Sequence, residues 1–313
     1  MLRLQQSTYS KQWALKKVVR LTIGSALLLF FVGGGILFAT RWRKTIATER
    51  AYIYELWTKS AYTELLSYLK KKLEKHPLDS FTLSVYGFTA YQMAMSQPSD
   101  QDMQTYLDEC IWALRKIATV HNKKDPAVLY VLGKAYYYKG PSYADLAITY
   151  LEEAQRVHAP FKDIAEYLGM AYASVKDYRS SIAALSQVLE QTNKSSGSPD
   201  LILLAIARSY LNLENYDQAE AYLLRCVESS QDDIVIEKAR YELALLYQKK
   251  TERDKAIEQC LAILALNEEN AQAHFLLGDL YAEAGDLIRA RSEWRRTLRI
   301  APDHSLARAR LTS

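Results

Sequence analysis

The sequence predicts an all-α fold in which pairs of short helices stack into a solenoid, preceded by one membrane-spanning helix. Three observations lead to this expectation. Helix-breaking residues are scarce, with 11 Gly and 7 Pro in 313 residues. A pattern of small and large residues recurs with a period of 34, and a long uncharged stretch lies near the N-terminus.

Composition indicates a folded chain that does not bind nucleic acid. Hydrophobic residues make up 49% and charged residues 24%, which is typical of globular proteins. The formal net charge is only +4, and ten of the 40 Lys and Arg residues lie in 1–20 and 41–60, on either side of the uncharged stretch. Nucleic-acid binders usually carry a basic stripe on the folded domain itself, and the charge distribution here does not predict one.

Residues 21–40 are predicted to form a transmembrane helix. They contain no charged residue, and a 20-residue helix at about 1.5 Å per residue spans a bilayer core of roughly 30 Å. Arg20 precedes the segment, while Arg41 and Trp42 follow it, which is the expected mix of basic and aromatic interface residues. A cleaved signal peptide is the alternative, but its apolar region is usually shorter.

The orientation of this segment follows from the short basic tail, residues 1–20. Long domains translocate largely regardless of charge, so the tail is expected to stay in the cytoplasm and the C-terminal domain to lie outside it. This predicts a single-pass protein, of the bacterial inner membrane in the simplest case. Gly33, Gly34 and Gly35 would let a second helix approach closely, which leaves self-association open.

The repeat is clearest in residues 271–304. With Ala271 as position 1, positions 7, 8, 11, 15, 20, 24 and 32 are occupied by Leu277, Gly278, Tyr281, Gly285, Ala290, Trp294 and Pro302. The block from Glu237 keeps this spacing at positions 7, 8, 11, 20 and 24 with Leu243, Ala244, Tyr247, Ala256 and Cys260. Blocks from Asp200, Lys162 and Pro126 repeat it with small insertions. Residues 126–304 are therefore predicted to hold five clear units.

Residues 46–125 carry weaker copies of the same pattern. Gly87 provides the small residue of a block that begins at Ser80, and an earlier second-helix pattern ends at Pro77. These residues are predicted to form degenerate N-terminal units.

Residues 305–313 are predicted to form a C-terminal capping helix, which a solenoid needs to cover its last pair. Leu306 and Leu311 are expected to cover that pair, while Arg308 and Arg310 face water.

The fixed small residues indicate two helices whose backbones come close. Positions 8 and 20 are expected where the helices of one unit touch, positions 11 and 24 beside that contact, and the proline at 32 where the second helix stops. This pattern resembles the tetratricopeptide repeat over roughly residues 46–304, most specifically over 126–304. The resemblance implies a right-handed superhelix with a concave groove that holds an extended peptide or a helix.

The resemblance also implies which side chains line the groove, since positions 2, 5, 9 and 12 of each unit face it in the family. The residues that match and that we select as a partner-binding site are Tyr130, Lys134, Tyr137, Glu166, Met170, Arg208, Tyr241, Phe275 and Asp279. The family's carboxylate-binding clamp cannot be assembled from them, because acidic Asp163 and Glu166 follow Lys134. Docking by apolar anchors with polar register contacts is expected instead.

No pattern for catalysis, a metal or a cofactor is found. The sequence lacks phosphate-loop, dinucleotide-binding, serine-hydrolase and zinc-protease motifs, and its three cysteines are far apart. We therefore expect no catalytic residue, no metal site and no cofactor. The histidines are expected to be solvated or to cap helix ends; they are His76, His121, His158, His274 and His304.

These features predict a membrane-anchored, non-enzymatic scaffold that binds a protein or peptide partner in its groove, in the assembly of an envelope complex. An alternative is a cytoplasm-facing regulator of an envelope biosynthesis enzyme. It is similar to lipopolysaccharide assembly proteins that join a membrane helix to these repeats, but the paired C-x-x-C motifs of that family are missing here. An enzyme with an unrecognised groove site is the third alternative.

Overall fold

A computed structural model describes residues 46–120, 124–192 and 199–312. The regular structure in these ranges is entirely helical, which confirms the all-α prediction for them. The predicted tail, residues 1–20, and the predicted membrane segment, residues 21–40, lie outside the described residues. Across the described ranges, none of the helices has both the length and the apolar character needed to cross a bilayer.

A boundary between His76 and Pro77 separates two compact units. In the first, residues 46–58 (α1) and Tyr62–Lys75 (α2) are helical. Leu65, Leu69 and Leu73 recur every four residues along α2 and are buried, so this helix is amphipathic and buries its apolar face.

The second unit is a series of helical hairpins. Its helices are α3 (Ser80–Met95), α4 (Asp100–Val120), α5 (Pro126–Tyr138), α6 (Ala144–Arg156), α7 (Ile164–Ser174), α8 (Tyr178–Thr192), α9 (Asp200–Asn212), α10 (Tyr216–Ser229), α11 (Asp233–Lys249), α12 (Arg253–Leu266), α13 (Ala271–Glu283), α14 (Leu287–Ile300) and α15 (Ser305–Thr312). A short 3-10 turn, Pro141–Tyr143, precedes α6. Each odd-numbered helix from α3 to α13 packs on the next helix, and that helix packs on the following hairpin. The second unit is therefore a helical-repeat solenoid, as the sequence predicts.

Glycine at position 8 allows the two helices of a hairpin to touch. A Cβ at Gly278 would lie 2.6 Å from the ring of Trp294 and 3.2 Å from the carbonyl oxygen of Ala290. At Gly133 a Cβ would lie 2.5 Å from the side chain of Leu151. The small residues thus lie at the helix contact, as expected. The large residue at position 24 differs from expectation, because it packs directly on the glycine rather than beside it.

Residues with positive φ stand at position 15 after most first helices, but not after α3. Gly285 provides one of them, and non-glycine residues provide the others that follow the same pattern: Ser60, Lys176, Glu214 and Thr251. In these turns the N–H of the following residue bonds back to the carbonyl of position 11, at 2.9 Å for Asp286 to Tyr281, which ends the helix and reverses the chain. The turn at Gly140 differs, because its ψ is 179° and the next residue is Pro141, which has no N–H.

The capping helix α15 is present but lies differently from the prediction. Ala307 is its buried residue, whereas Leu306 is 62% exposed. Arg310 does not simply face water, because its Nε lies 3.1 Å from Oδ1 of Asp279 on α13. The ion pair and the small Ala307 fix the rotation of the helix, and that rotation turns Leu306 outward.

Candidate functional site

The predicted partner-binding residues lie on the first helices of the hairpins. Of these helices, α3, α5, α7, α9 and α11 contact one another in chain order, and α13 carries the last of the predicted residues. We call the face that they share the first-helix surface. It carries three distinct groups of side chains, which differ in how their charges are paired.

The first group centres on Lys134 and joins α5 to α7. The Nζ atom of Lys134 lies 3.1 Å from Oδ2 of Asp163, the residue just before α7, and 3.0 Å from the hydroxyl of Tyr130. That hydroxyl in turn donates to the Asp163 carboxylate at 2.7 Å. The lysine charge is therefore matched within the chain, and the pair fixes the register of the two helices.

Aromatic rings surround this ion pair. The Lys134 ammonium lies 4.3 Å from the ring centre of Tyr167, within the range of a cation–π interaction. Tyr130 stacks on Phe161 with ring centres 3.9 Å apart. The ring of Tyr137 meets the Tyr167 ring edge-on at 5.2 Å. The surface at this point is thus both apolar and attractive to positive charge.

Several of the tyrosine hydroxyls are held by one another or by sulfur. The Tyr137 hydroxyl donates to Sδ of Met170 at 3.1 Å, and the hydroxyls of Tyr138 and Tyr167 lie 2.9 Å apart. Burial raises the pKa of Tyr130 and of Tyr138 to about 12. Burial also raises the pKa of Tyr91 on α3, and the neighbouring hydroxyls of Tyr138, Tyr167 and Tyr130 add to the effect. These rings remain neutral hydrogen-bonding groups at physiological pH.

Three members of this group were missed by sequence reasoning. Tyr91 stands at position 12 of the block from Ser80, so the rule for groove positions would have found it had it been applied there. Tyr138 and Tyr167 stand at positions 13 and 6, outside the rule, and only packing brings them to this surface.

Glu166 differs from the other charges of the group. Burial is the main cause that raises the pKa of its carboxyl; the nearby Asp163 adds to the effect, and the nearby Lys134 opposes it. No hydrogen bond or ion pair joins it to another residue in the ranges that the structure describes. It is a half-buried carboxylate that senses the charges of both Asp163 and Lys134 without pairing with either.

The second group lies between α9 and α11. The Nε atom of Arg208 is 3.0 Å from Oε1 of Glu242, so this predicted charge is paired. Beside it is a cavity of about 320 Å³ with mostly apolar walls. The lining residues are Leu211, Tyr216, Glu242, Leu245, Leu246, Gln248 and Lys249. Tyr241 packs against the adjacent core, and burial raises its pKa.

The third group lies next to the capping helix. Asp279 accepts a hydrogen bond from the indole N–H of Trp294 at 3.0 Å and pairs with Arg310. The Phe275 ring lies 4.7 Å from the imidazole of His304. Both predicted residues are thus engaged by the chain's own C-terminal helices.

The histidine expectation is right for His304 and wrong for His274. The backbone N–H of Ala307 donates to Nδ1 of His304, which therefore caps α15. His274 is 2% exposed, and its Nδ1 lies 2.6 Å from Oε2 of Glu293. The position appeared solvated because it is near a helix start, but the second helix of the same hairpin covers it. In the described ranges no three acidic, histidine or cysteine side chains come together as metal ligands.

Comparison with known proteins agrees with the geometry of the hairpins. Residues 202–233 and 241–305 each match the family described as tetratricopeptide repeat. No curated protein sequence matches the chain significantly.

Solved structures share the fold at low sequence identity. The C-terminal part of a TPR repeat-containing protein from Cytophaga hutchinsonii is 15% identical, covering 83% of this chain and 98% of its own, with a TM-score of 0.58. A tetratricopeptide repeat protein from Parabacteroides merdae is 17% identical, covering 83% and 94%, with a TM-score of 0.51. MamA from Desulfovibrio magneticus is 19% identical, covering 57% and 97%, with a TM-score of 0.50.

The 34-residue period, the glycine contact between paired helices, the recurrent left-handed turn and these matches agree with one another. Residues 202–233 and 241–305 thus match the tetratricopeptide repeat directly, and the other hairpins share its fold.

Proposed function

We propose that this protein is a scaffold that binds a protein or peptide partner along the first-helix surface. The cavity between α9 and α11 is the observation that carries this proposal. Its volume of about 320 Å³ is at the lower end of the range for binding sites and is large enough to receive an apolar side chain. Leu211, Leu245 and Leu246 provide the apolar wall, while Glu242 and Lys249 stand at the polar rim.

The aromatic group around Lys134 extends this surface toward α5 and α7. Tyrosine is enriched where proteins bind each other, because its ring provides contact area at a small entropic cost and its hydroxyl can remain hydrated. An apolar anchor in the cavity and polar contacts along α5 and α7 would together fix the register of an extended or helical partner. Solenoids of stacked repeats present such extended binding surfaces.

We further propose that residues 21–40 anchor the scaffold in a membrane and place the repeats outside the cytoplasm, where they assist assembly of an envelope complex. The support is the uncharged 20-residue segment with its basic flanks. Tethering raises the local concentration of partners in the same membrane, so modest affinity at the groove would suffice.

Site-specific photo-crosslinking tests the binding surface. A photoreactive amino acid at Leu245 in the cavity should give a discrete crosslinked product in the native host. The same group at Leu261, which is 48% exposed on α12, serves as the control. A product that forms at 245, is absent at 261 and disappears in a chain that also carries Leu211→Arg supports the proposal. Equal crosslinking at both positions contradicts it.

Protease accessibility tests the membrane orientation. In sealed vesicles of known orientation, digestion of the repeats only from the extracytoplasmic side supports the envelope scaffold. Digestion only from the cytoplasmic side would favour the alternative, a regulator of an envelope enzyme that faces the cytoplasm.

A further inference from the structure

The cavity between α9 and α11 is larger than a single aliphatic side chain requires. Its volume is about 320 Å³, and Leu211, Leu245 and Leu246 provide most of the apolar wall. For comparison, an engineered apolar cavity of about 150 Å³ in another protein holds a benzene ring. A leucine or valine of a partner would therefore leave part of this wall uncovered, whereas a phenyl or indole ring would cover more of it.

Two charged residues line the cavity, and they differ in how they are paired. Glu242 is neutralised by Arg208 at 3.0 Å. Lys249 is exposed, and no carboxylate lies within ion-pair distance of it in the ranges that the structure describes. Its ammonium lies 5.6 Å from the centre of the Tyr216 ring, and that ring is itself part of the cavity wall. Apolar walls and one positive charge are thus combined at the same place.

An aromatic ring is complementary to both features. The face of such a ring carries partial negative charge, and an ammonium within about 6 Å of the ring centre is attracted to it. An aliphatic side chain would fill the cavity without meeting the charge of Lys249. A carboxylate would meet that charge, but it would lose hydration against the leucine wall and approach Glu242, which lines the same cavity.

We propose that this cavity receives an aromatic side chain of the partner, and that Lys249 selects an aromatic residue over an aliphatic one through a cation–π contact. The inference rests on the proposed function, because it names the class of residue that fills the cavity. Tryptophan fits this chemistry best, since its ring gives the strongest cation–π interaction and it is enriched among the residues that dominate binding energy at interfaces.

Parallel peptide selection tests the proposal. A phage-displayed library of random dodecapeptides is selected against the full chain, against Lys249→Met and against Lys71→Met. Methionine keeps an unbranched side chain and removes the charge. Lys71 is exposed on α2 and does not line the cavity, so its substitution makes the same charge change elsewhere. We expect the wild type and Lys71→Met to enrich Trp or Phe at one fixed position, and Lys249→Met to accept aliphatic residues there equally well.

A double-mutant cycle then measures the contact. The best selected peptide and a derivative with cyclohexylalanine at its aromatic position are titrated by fluorescence anisotropy. Cyclohexylalanine keeps a six-membered apolar ring but has no π electrons. The replacement should weaken binding to the wild type about two- to fivefold and change binding to Lys249→Met little. Lys249→Arg should keep the aromatic preference, because a guanidinium also binds ring faces.

Fluorination of the aromatic residue provides a second readout. Successive fluorine atoms withdraw electron density from the ring face while its shape changes little. Affinity for the wild type should therefore fall with each fluorine, and affinity for Lys249→Met should not follow this order. A purely steric or hydrophobic role of the cavity would give the same trend in both proteins and would contradict the inference.

The outcomes separate the inference from the proposed function. Peptides that need Leu245, as shown by loss of binding in Leu245→Arg, but carry an aliphatic anchor or an acidic residue in its place would overturn the inference and support the groove. An aromatic preference that persists in Lys249→Met overturns the inference as well. Failure to select any peptide that depends on Leu245 counts against both. Circular dichroism of each variant confirms that a loss of binding is not a loss of fold.

Discussion

The indole ring of Trp294 lies directly on Gly278: a Cβ at that glycine would be 2.6 Å from Cδ1 and Nε1 of the ring. The indole N–H continues past the glycine to donate to Asp279, the next residue, at 3.0 Å. Position 24 of the last repeat thus joins the helix contact to the charged residue at position 9. Because Gly278 has no side chain, the indole ring can pass over it and reach the Asp279 carboxylate.

Substitution of Gly278 by alanine should destabilise the last hairpin. The new methyl group would overlap the indole and approach the carbonyl oxygen of Ala290, which is backbone and cannot move away cheaply. Overpacking of this kind typically costs about 1–3 kcal/mol. Urea unfolding of the variant, followed by circular dichroism, measures the change in unfolding free energy.

A second substitution checks the cause. Truncation of Trp294 to alanine removes the indole but leaves the carbonyl of Ala290 in place. Gly278→Ala should therefore cost less in a Trp294→Ala background than in the wild type. Equal costs in both backgrounds would show that the indole is not the obstacle.

Thr251→Gly should stabilise the protein. Thr251 has φ of 60°, a left-handed conformation in which a β-branched side chain is strained. Glycine relieves that strain at the expense of a more flexible unfolded chain, which leaves a net gain of about 0.5–1 kcal/mol. The reciprocal change, Gly285→Thr at the same repeat position, should destabilise by a comparable or larger amount. Thermal and urea unfolding of both variants would refute the idea if the two changes had the same sign.

The Glu220 carboxylate should contribute a pH-dependent part of the stability. Burial acts to raise its pKa, but hydrogen bonds from Lys250 and Tyr247 at 2.9 Å outweigh burial and hold the pKa below its ordinary 4.5. A lowered pKa in the folded state means that the contribution is complete above pH 4.5 and is lost as pH falls through the folded value. Relative to Glu220→Gln, the wild type should lose its advantage in acid. A pH-independent difference would contradict this account.

All three cysteines should resist alkylation until the protein unfolds. Cys110, Cys226 and Cys260 are free and buried. Burial raises the pKa of Cys226 to about 11 and of Cys260 to about 12, and it raises the pKa of Cys110 as well. The reactive thiolate is scarce and inaccessible in the native state. Iodoacetamide with mass spectrometry at pH 8 should label none natively and all three in urea; rapid native labelling would contradict the burial.

The repeat could be predicted because its signals are local and periodic. Gly278, Tyr281 and Trp294 stand at fixed intervals. Because these intervals bring the same positions of two paired helices together in each unit, the helix contact can be predicted without knowledge of the other residues. The left-handed turns could be predicted only in part. Glycine marks one of them at Gly285, but Lys176 and Thr251 also adopt a positive φ, because the hydrogen bond that closes each of these turns outweighs the strain.

The groove residues could be predicted by position but not by partner. Repeat position places Lys134 and Glu166 on the first-helix surface, yet it does not say that Lys134 is matched by Asp163 while Glu166 is not. Nor does it say that Phe275 and Asp279 are engaged by His304 and Arg310. These pairings join residues in different helices, and their geometry depends on small rotations of those helices.

By itself the sequence determined the class of fold, the length of the repeat and the places where small residues are needed, because these follow from spacing along one or two helices. Tertiary structure alone decided the rotation of α15, the burial of His274 and the pairing of Lys134 with Asp163. The physical reason is that burial and charge pairing depend on which neighbour arrives at a given side chain. A period of 34 residues fixes where each helix lies, but not which side chain of the next helix reaches it.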